Sequence, residues 1–213
     1  VPGANGTVSE AQALAAIGAM QSGDILMLQL EIPATAVEAA LKAARAKGIV
    51  SVLNTAPLTA DAERLAALAD IVVANETEFE LLARTSKLDT AAREAELGRI
   101  HAATGQTYVV TLGAEGAAIW AGEGRNERIA IPAVTPDAIM DPTGIGDAFR
   151  SGLIKGLALG LPWEACGRLG SLAATYVLET MGPQTHHYSV AEFVARYRSV
   201  FGDDAATAAL SGA

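Results

Sequence analysis

Two glycines and a carboxylate stand together in residues 141–149 (DPTGIGDAF), where an amphipathic helix is predicted to begin. The first N–H groups of a helix are unpaired, and the helix start carries a partial positive charge. The backbone N–H groups of Gly144, Ile145 and Gly146 are therefore predicted to bind a transferring phosphoryl group. Asp147 follows directly, and as a general base it can accept the proton of a hydroxyl that attacks the phosphate. The segment therefore predicts phosphoryl transfer to an alcohol. The alternative is an ordinary glycine-rich turn before a helix whose acidic first turn complements the helix dipole.

Alternating strands and helices are predicted to hold this segment in place. Short apolar runs indicate strands over residues 24–30, 49–53, 70–74, 107–112 and 117–120. Helical periodicity indicates helices over residues 9–21, 33–47, 59–69, 76–84, 90–103, 146–159, 162–181 and 190–200. The sequence also predicts a hairpin turn over residues 122–126, a return strand over residues 127–131 and a frayed end from residue 202. This order predicts one α/β domain over residues 1–213, with a mostly parallel sheet covered by helices on both faces.

Composition disfavours several classes of partner. The chain has 213 residues, of which 51% are hydrophobic, and a formal net charge of −9, so it can bury a core but lacks the basic footprint of a nucleic-acid binder. Its one cysteine, Cys166, allows no internal disulfide, and no apolar run reaches the roughly 18 residues that predict a membrane span. No secretory signal pattern is evident. These features favour a cytoplasmic protein without nucleic-acid or membrane partners.

Four segments in order resemble the ribokinase family, the PfkB-type carbohydrate and nucleoside kinases. They are residues 1–5 (VPGAN), 54–57 (NTAP) with 73–78 (VANETE), 110–116 (VTLGAEG) and 141–147 (DPTGIGD). The resemblance implies a ribokinase-like three-layer αβα sandwich with a mostly parallel sheet. Family members carry further strands and a lid before the first segment, so this chain, which does not begin with Met, is expected to be a partial domain that lacks them. The front of the chain looks more like ribokinases, and the part from residue 141 looks more like bacterial adenosine kinases.

The resemblance implies ATP as the phosphoryl donor and assigns residues to its binding. Thr111, Gly113 and Gly182 are expected to line the nucleotide site. Asn75 and Glu78 are expected to hold the hydrated Mg²⁺ that bridges the nucleotide phosphates. The alternatives are a plain turn after a strand at Thr111 and a helix cap at Asn75, with Glu78 in the acidic first turn. Both roles of Asn75 can hold at once.

The resemblance also implies a K⁺ site and an acceptor site. Asp141, with Thr143 beside it, matches the position of the monovalent-cation ligand, for which the alternative is a capping or turn Asp. Glu31 and Asn5, together with Asp147, match positions that contact the acceptor. For Glu31 the alternative is a solvated residue at the end of the first strand. The implied acceptor is the primary hydroxyl of a small-molecule sugar, as in ribokinases, or of a nucleoside.

The sequence suggests three classes of function, which differ in how well they fit it. The first is an ATP-dependent carbohydrate kinase, with a nucleoside kinase as its variant. The second is a non-catalytic nucleotide-binding remnant, whose exposed sheet edge and apolar surface would favour a homo-oligomer. A dinucleotide-binding dehydrogenase is disfavoured because Phe149 stands where a third glycine is required. Arg150 could contact a phosphate, although an ion-paired or solvated side chain is favoured, and Cys166 is expected in the core.

Overall fold

Six strands form one sheet within residues 2–85, 88–122 and 128–212, the part of the chain that the computed structural model describes. They are β1 (Ile25–Leu28), β2 (Val50–Asn54), β3 (Ile71–Asn75), β4 (Thr107–Thr111), β5 (Ala117–Trp120) and β6 (Arg128–Ile131). The sheet order follows the chain, and the pairs β1–β2, β2–β3 and β3–β4 are parallel. The predicted α/β fold with a mostly parallel sheet is confirmed. Residues 123–127, which hold most of the predicted hairpin turn, lie outside the described residues.

The helices of the described residues follow the predicted order, except that the last one was not predicted. They are α1 (Glu10–Ala19), α2 (Ala34–Lys47), α3 (Ala62–Ala66), α4 (Glu76–Leu82), α5 (Thr90–Thr104), α6 (Ile145–Ala158), α7 (Trp163–Leu178), α8 (Val190–Phe201) and α9 (Ala205–Ser211). Short 3-10 turns cover Gly3–Thr7 and Gly113–Glu115. Several helices begin at a side chain that accepts a backbone N–H group of the first turn, which explains why their starts were predictable: Ser9, Asn75, Asp89 and Ser189.

Helix α9 shows that the prediction of a frayed end from residue 202 was wrong. Asp204 caps this helix, because its Oδ1 accepts the backbone N–H of Ala206 at 2.8 Å. Its Oδ2 accepts the hydroxyl of Tyr197 at 2.7 Å and pairs with Arg168 at 3.1 Å. Ala206 is fully buried in the same apolar cluster as Tyr197. Of the small residues that suggested fraying, Ala206 and Thr207 are buried.

Two compact units divide the chain, residues 1–111 with 120–128 and residues 112–119 with 129–213. A single domain over residues 1–213 therefore stays a prediction. The first unit contains β1 to β4 and α1 to α5. Strands β2, β3 and β4 appear in the sequence as apolar runs because strands of a parallel sheet are buried on both faces, as the following side chains are: Val52, Leu53, Val72, Val73, Val109 and Val110.

Helices α6 and α7 of the second unit pack with their backbones in contact at glycines. A Cβ atom at Gly152 would lie 2.4 Å from the carbonyl oxygen of Leu169. One at Gly156 would lie 2.7 Å from the Cα atom of Cys166. A side chain at either glycine would force the two helices apart. This packing holds α6, whose first turn carries Asp147, in a defined position on α7.

Candidate active site

Gly144 sets the geometry at the start of α6. Its φ of +86° lies in the left-handed region, and a Cβ atom there would be 2.6 Å from the Cβ atom of Pro183. Ile145 and Gly146 are the first two helical residues, and the N–H of Ile145 makes only a long contact of 3.4 Å with the carbonyl of Pro142. The first N–H groups of a helix have no acceptor within the helix, so this turn presents donors to an anion.

Asp147, the predicted base, lies in the first turn of α6 with 68% of its side chain exposed. One of its carboxylate oxygens forms an ion pair with the guanidinium group of Arg150, three residues along the helix. Only 14% of the Arg150 side chain is exposed. The carboxylate is thus open to solvent and paired with a largely buried cation, and the interpretation of Arg150 as an ion-paired residue is confirmed.

Asp141 ties two loops of the second unit together. Its Oδ1 accepts the backbone N–H of Thr143 at 2.8 Å, and its Oδ2 accepts that of Gly182 at 3.0 Å. The pKa of Asp141 lies below its ordinary value because its carboxylate accepts hydrogen bonds. Those from the side chain and backbone of Thr143 contribute most, and the one from Gly182 contributes less. The N–H of Met140 bonds to the carbonyl of Leu178 at 2.9 Å, which anchors this segment to the end of α7. The binding of a cation by Asp141 and Thr143 stays a prediction.

In the first unit, Asn75 and Glu78 form a reciprocal cap at the start of α4. Asn75 Oδ1 accepts the backbone N–H of Glu78 at 2.9 Å, and Glu78 Oε2 accepts that of Asn75 at 2.9 Å. The side-chain amide of Asn75 also donates to Glu78 Oε1 at 3.0 Å. The capping interpretation is confirmed, and the metal role stays a prediction. Sequence reasoning missed Thr55, whose hydroxyl donates to Glu78 Oε2 at 3.4 Å, although its place in the NTAP segment was a signal.

The oxygen atoms of Asn75 and Glu78 suit a hydrated Mg²⁺. Carboxylate and amide oxygens are ligands that this ion accepts, and it usually keeps several waters and takes phosphate oxygens as further ligands. The reciprocal cap holds both side chains in one orientation, which is a useful property for binding a water shell. Within residues 2–85, 88–122 and 128–212, no group of three or more His, Cys, Asp or Glu side chains could hold a metal ion.

The carboxyl ends of β3 and β4 place Thr111 beside Asn75, its partner in the parallel register. Open α/β sheets bind ligands at this end of their strands, so Thr111 stands where the nucleotide role was predicted. Gly113, just beyond the strand, has a φ of +56°. In the second unit, Gly116 has a φ of +90°, and a Cβ atom there would lie 2.0 Å from the carbonyl oxygen of Ile131. The turn after β4 therefore requires glycine at position 116.

Asn5 and Glu31, which are predicted to contact the phosphoryl acceptor, form a hydrogen bond with each other in the first unit. The side-chain amide of Asn5 donates to Glu31 Oε2 at 3.1 Å, and both residues are exposed. An exposed amide and carboxylate offer the donors and acceptors that sugar hydroxyls require. Glu31 lies in a turn and not at the strand end where it was expected, because β1 ends at Leu28. The N–H of Leu30 bonds to the carbonyl of Ala56 at 3.0 Å and stabilises this turn.

The remaining reactive side chains have structural surroundings. Cys166 is fully buried, as expected, and burial raises the pKa of its thiol to about 11, so the thiolate needed for nucleophilic chemistry is scarce at neutral pH. The ring of His186 lies against that of Tyr188, with the ring centroids 5.8 Å apart. Among the described residues, no helix has both the length and the apolar character that crossing a membrane requires.

The chain is similar to proteins of known family over most of its length. The model of the pfkB family carbohydrate kinases matches residues 4–188. A ribokinase from Haemophilus influenzae is 31% identical over 183 residues, which are 86% of this chain and 58% of the relative. The chain thus spans less than two thirds of the length of that relative.

Solved structures with a similar fold include two kinases. A ribokinase from Arabidopsis thaliana, complexed with ribose and ATP, is 25% identical with a TM-score of 0.73, over 85% of this chain and 58% of that chain. A nucleoside kinase from Burkholderia thailandensis, complexed with inosine, is 25% identical with a TM-score of 0.72, over 91% of this chain and 61% of that chain.

Proposed function

The chain belongs to the pfkB family of carbohydrate kinases, and we propose that it supplies the catalytic part of an ATP-dependent sugar kinase. The observation that carries the proposal is the start of α6, where Gly144 adopts a left-handed φ of +86° and Asp147 stands in the first turn, so that the first backbone N–H groups of the helix and the carboxylate lie within one turn. The proposed acceptor is the primary hydroxyl of a small sugar, because the similarity to a ribokinase covers most of this chain.

In the proposed reaction, the γ-phosphoryl group of ATP moves to the acceptor. The carboxylate of Asp147 takes the hydroxyl proton while the acceptor oxygen forms a bond to the γ-phosphorus. The bond from that phosphorus to the β–γ bridging oxygen breaks, and ADP leaves with the electron pair. The N–H groups of Gly144, Ile145 and Gly146 donate to the oxygens of the transferring group, at the positive end of α6.

Two groups of residues are proposed to bind the nucleotide and its ion. Asn75 and Glu78 orient the water shell of Mg²⁺, and the ion, when bound, offsets the negative charge of the phosphates. Thr111, Gly113 and Gly182 line the nucleotide. Support for these roles comes from the strand-end position of Thr111 and from the fixed orientation of the Asn75–Glu78 pair.

Two further pairs of residues complete the assignment. Asp141, with Thr143, is proposed to coordinate K⁺, supported by the backbone N–H groups of Thr143 and Gly182, which fix the orientation of its carboxylate. Asn5 and Glu31 are proposed to bind hydroxyl groups of the acceptor, supported by the hydrogen bond that joins them. Association into a homo-oligomer also stays a prediction.

A nucleoside is the second candidate acceptor. It is favoured by the similarity to a nucleoside kinase complexed with inosine, which covers 91% of this chain. A nucleotide-binding protein without transfer activity is the third candidate.

A phosphotransfer panel tests these candidates. The chain is incubated with ATP, Mg²⁺ and K⁺ and with ribose, fructose, adenosine, inosine or cytidine, and ADP release and phosphorylated product are both measured. We expect transfer to ribose and a fall of about 10²- to 10⁴-fold in kcat for Asp147→Asn, which removes the general base. Asp203→Asn is the matched control, because Asp203 is 69% exposed and paired with Arg198, much as Asp147 is with Arg150.

Each outcome of the panel decides between the candidates. Preferential transfer to a nucleoside would show that the acceptor is a nucleoside, the second candidate, and not a sugar. ATP binding without transfer to any acceptor would overturn the kinase proposal for this chain and leave the third candidate. Equal rates for Asp147→Asn and Asp203→Asn would overturn the assignment of the base.

A further inference from the structure

Arg150 is a largely buried cation beside the exposed carboxylate of Asp147, the proposed base. Its guanidinium group pairs with one oxygen of Asp147, and its side chain is only 14% exposed, against 68% for Asp147. We propose that Arg150 is a positioning residue, which holds the Asp147 carboxylate in one rotamer so that it meets the acceptor hydroxyl in a constant direction. This inference rests on the proposed function of Asp147 as general base.

The helix start has room for this guanidinium because residue 146 has no side chain. A Cβ atom at Gly146 would lie 3.3 Å from Nη1 of Arg150, closer than such contacts normally are. The guanidinium therefore lies directly against the backbone of the first turn. A methyl group at residue 146 would displace the guanidinium group by a few tenths of an ångström, so Gly146 allows Arg150 to lie where it pairs with Asp147.

The ion pair is better suited to orientation than to stability. Ion pairs with an exposed partner stabilise a fold little, because water screens the charges and both side chains lose freedom. An exposed Asp in the first turn of a helix can occupy more than one staggered rotamer. A largely buried guanidinium has few positions of its own, so it acts as a fixed point for the carboxylate. Holding a base in the productive direction raises the rate of proton transfer.

A competing role for Arg150 is direct binding of a phosphate, for which the guanidinium group is well suited. The two roles affect different kinetic constants. Loss of a phosphate contact weakens nucleotide binding and raises the KM for ATP. Loss of orientation leaves both substrates bound as before and lowers kcat. The ion pair with Asp147 favours the second effect.

The rotamer of Asp147 can be measured without any activity. Three-bond couplings from the backbone nitrogen and carbonyl carbon of Asp147 to its side-chain carboxyl carbon are recorded by NMR on the full chain. We expect one dominant rotamer in the wild type and averaged couplings in Arg150→Met, which keeps the apolar stem but not the charge. Arg150→Lys should retain most of the preference. Averaged couplings in the wild type, or the same couplings in Arg150→Met, would overturn the inference.

Kinetics give the second measurement and separate this inference from the proposed function. For Arg150→Met we expect kcat to fall about tenfold with both KM values unchanged, and for Arg150→Lys a partial recovery. Arg198→Met is the control, since Arg198 pairs with the exposed Asp203. A raised KM for ATP with kcat unchanged contradicts the positioning role. If the wild type transfers nothing, the proposed function fails, and the couplings still decide whether Arg150 orients Asp147.

Discussion

At the scale of single residues, Asn75 caps α4 and is also proposed to help bind a hydrated Mg²⁺. Its Oδ1 caps α4 by accepting the N–H of Glu78 at 2.9 Å, while its amide donates to the same carboxylate at 3.0 Å. The cap needs only an acceptor oxygen. An oriented carboxylate for the water shell of Mg²⁺ also needs the amide donor. The two contributions can therefore be separated by substitution.

Two substitutions of Asn75 separate the cap from the proposed metal role. We expect Asn75→Ala to lower the free energy of unfolding by about 1 kcal/mol, because the cap is lost. Asn75→Ser keeps an acceptor oxygen, so its stability should stay near that of the wild type, while its phosphotransfer requires a higher Mg²⁺ concentration. Urea denaturation and Mg²⁺ titrations of the transfer rate measure the two effects. If Asn75→Ser required no more Mg²⁺ than the wild type, Asn75 would be a helix cap without a role in binding the metal.

At the scale of elements, the packing of α6 on α7 determines where the proposed base lies. Glycines at the contact allow the backbones to touch, and a Cβ atom at Gly156 would lie 2.7 Å from the Cα atom of Cys166 and 2.8 Å from its sulfur. The first turn of α6, with Asp147, moves with the rest of its helix. A change two to three turns away from Asp147 should therefore alter both stability and catalysis.

Adding one methyl group at two glycines tests this dependence. We expect Gly156→Ala to lower the free energy of unfolding by about 1–3 kcal/mol, because the methyl group would force α6 away from α7. Gly18→Ala is the matched control, since Gly18 lies in α1 and, beyond the neighbouring residues and the backbone of its own helix, no described atom lies within 4 Å of the added carbon. It should stabilise the chain by about 0.5 kcal/mol. Denaturant unfolding of both variants is the measurement. Similar stability of the two would contradict the tight contact.

At the scale of the whole molecule, acidic side chains outnumber basic ones by 24 to 15. Hydrogen bonds from Arg196 hold the pKa of Glu179 below its ordinary value of 4.5, and those from Lys42 and Arg64 do the same for Glu38. Because their pKa values are lower in the folded than in the unfolded chain, these carboxylates stabilise the fold at neutral pH. That contribution is lost as the pH falls through the folded pKa.

We therefore expect the melting temperature to fall as the pH drops below 4.5, the ordinary pKa of Glu179. Arg196→Met should melt below the wild type at neutral pH, and the difference should shrink in acid. Part of it should remain, because Arg196 also lies over the ring of Tyr176, 4.8 Å from the centroid. Circular dichroism melts across this pH range provide the measurement. An equal difference at every pH would contradict a contribution from ionised Glu179.

Local patterns were enough to predict the order of elements and several residues of the candidate site. Apolar runs predicted the strands from β1 to β5, and capping residues marked where several helices begin. Asn75 was weighed as a cap and is one, because an N-cap depends on residues only three positions away. The last helix was missed for the opposite reason. The order of α9 depends on Tyr197 and Arg168, which lie outside the segment itself.

The sequence by itself determined which residues stand at the start of α6, because a glycine turn followed by Asp147 is encoded within a few neighbouring residues. Only the tertiary structure decided which distant residues meet. Asn5 bonds to Glu31 across 26 residues, and Asp141 bonds to Gly182 across 41. Such contacts depend on how whole helices and strands pack, and no periodicity within one segment records that packing.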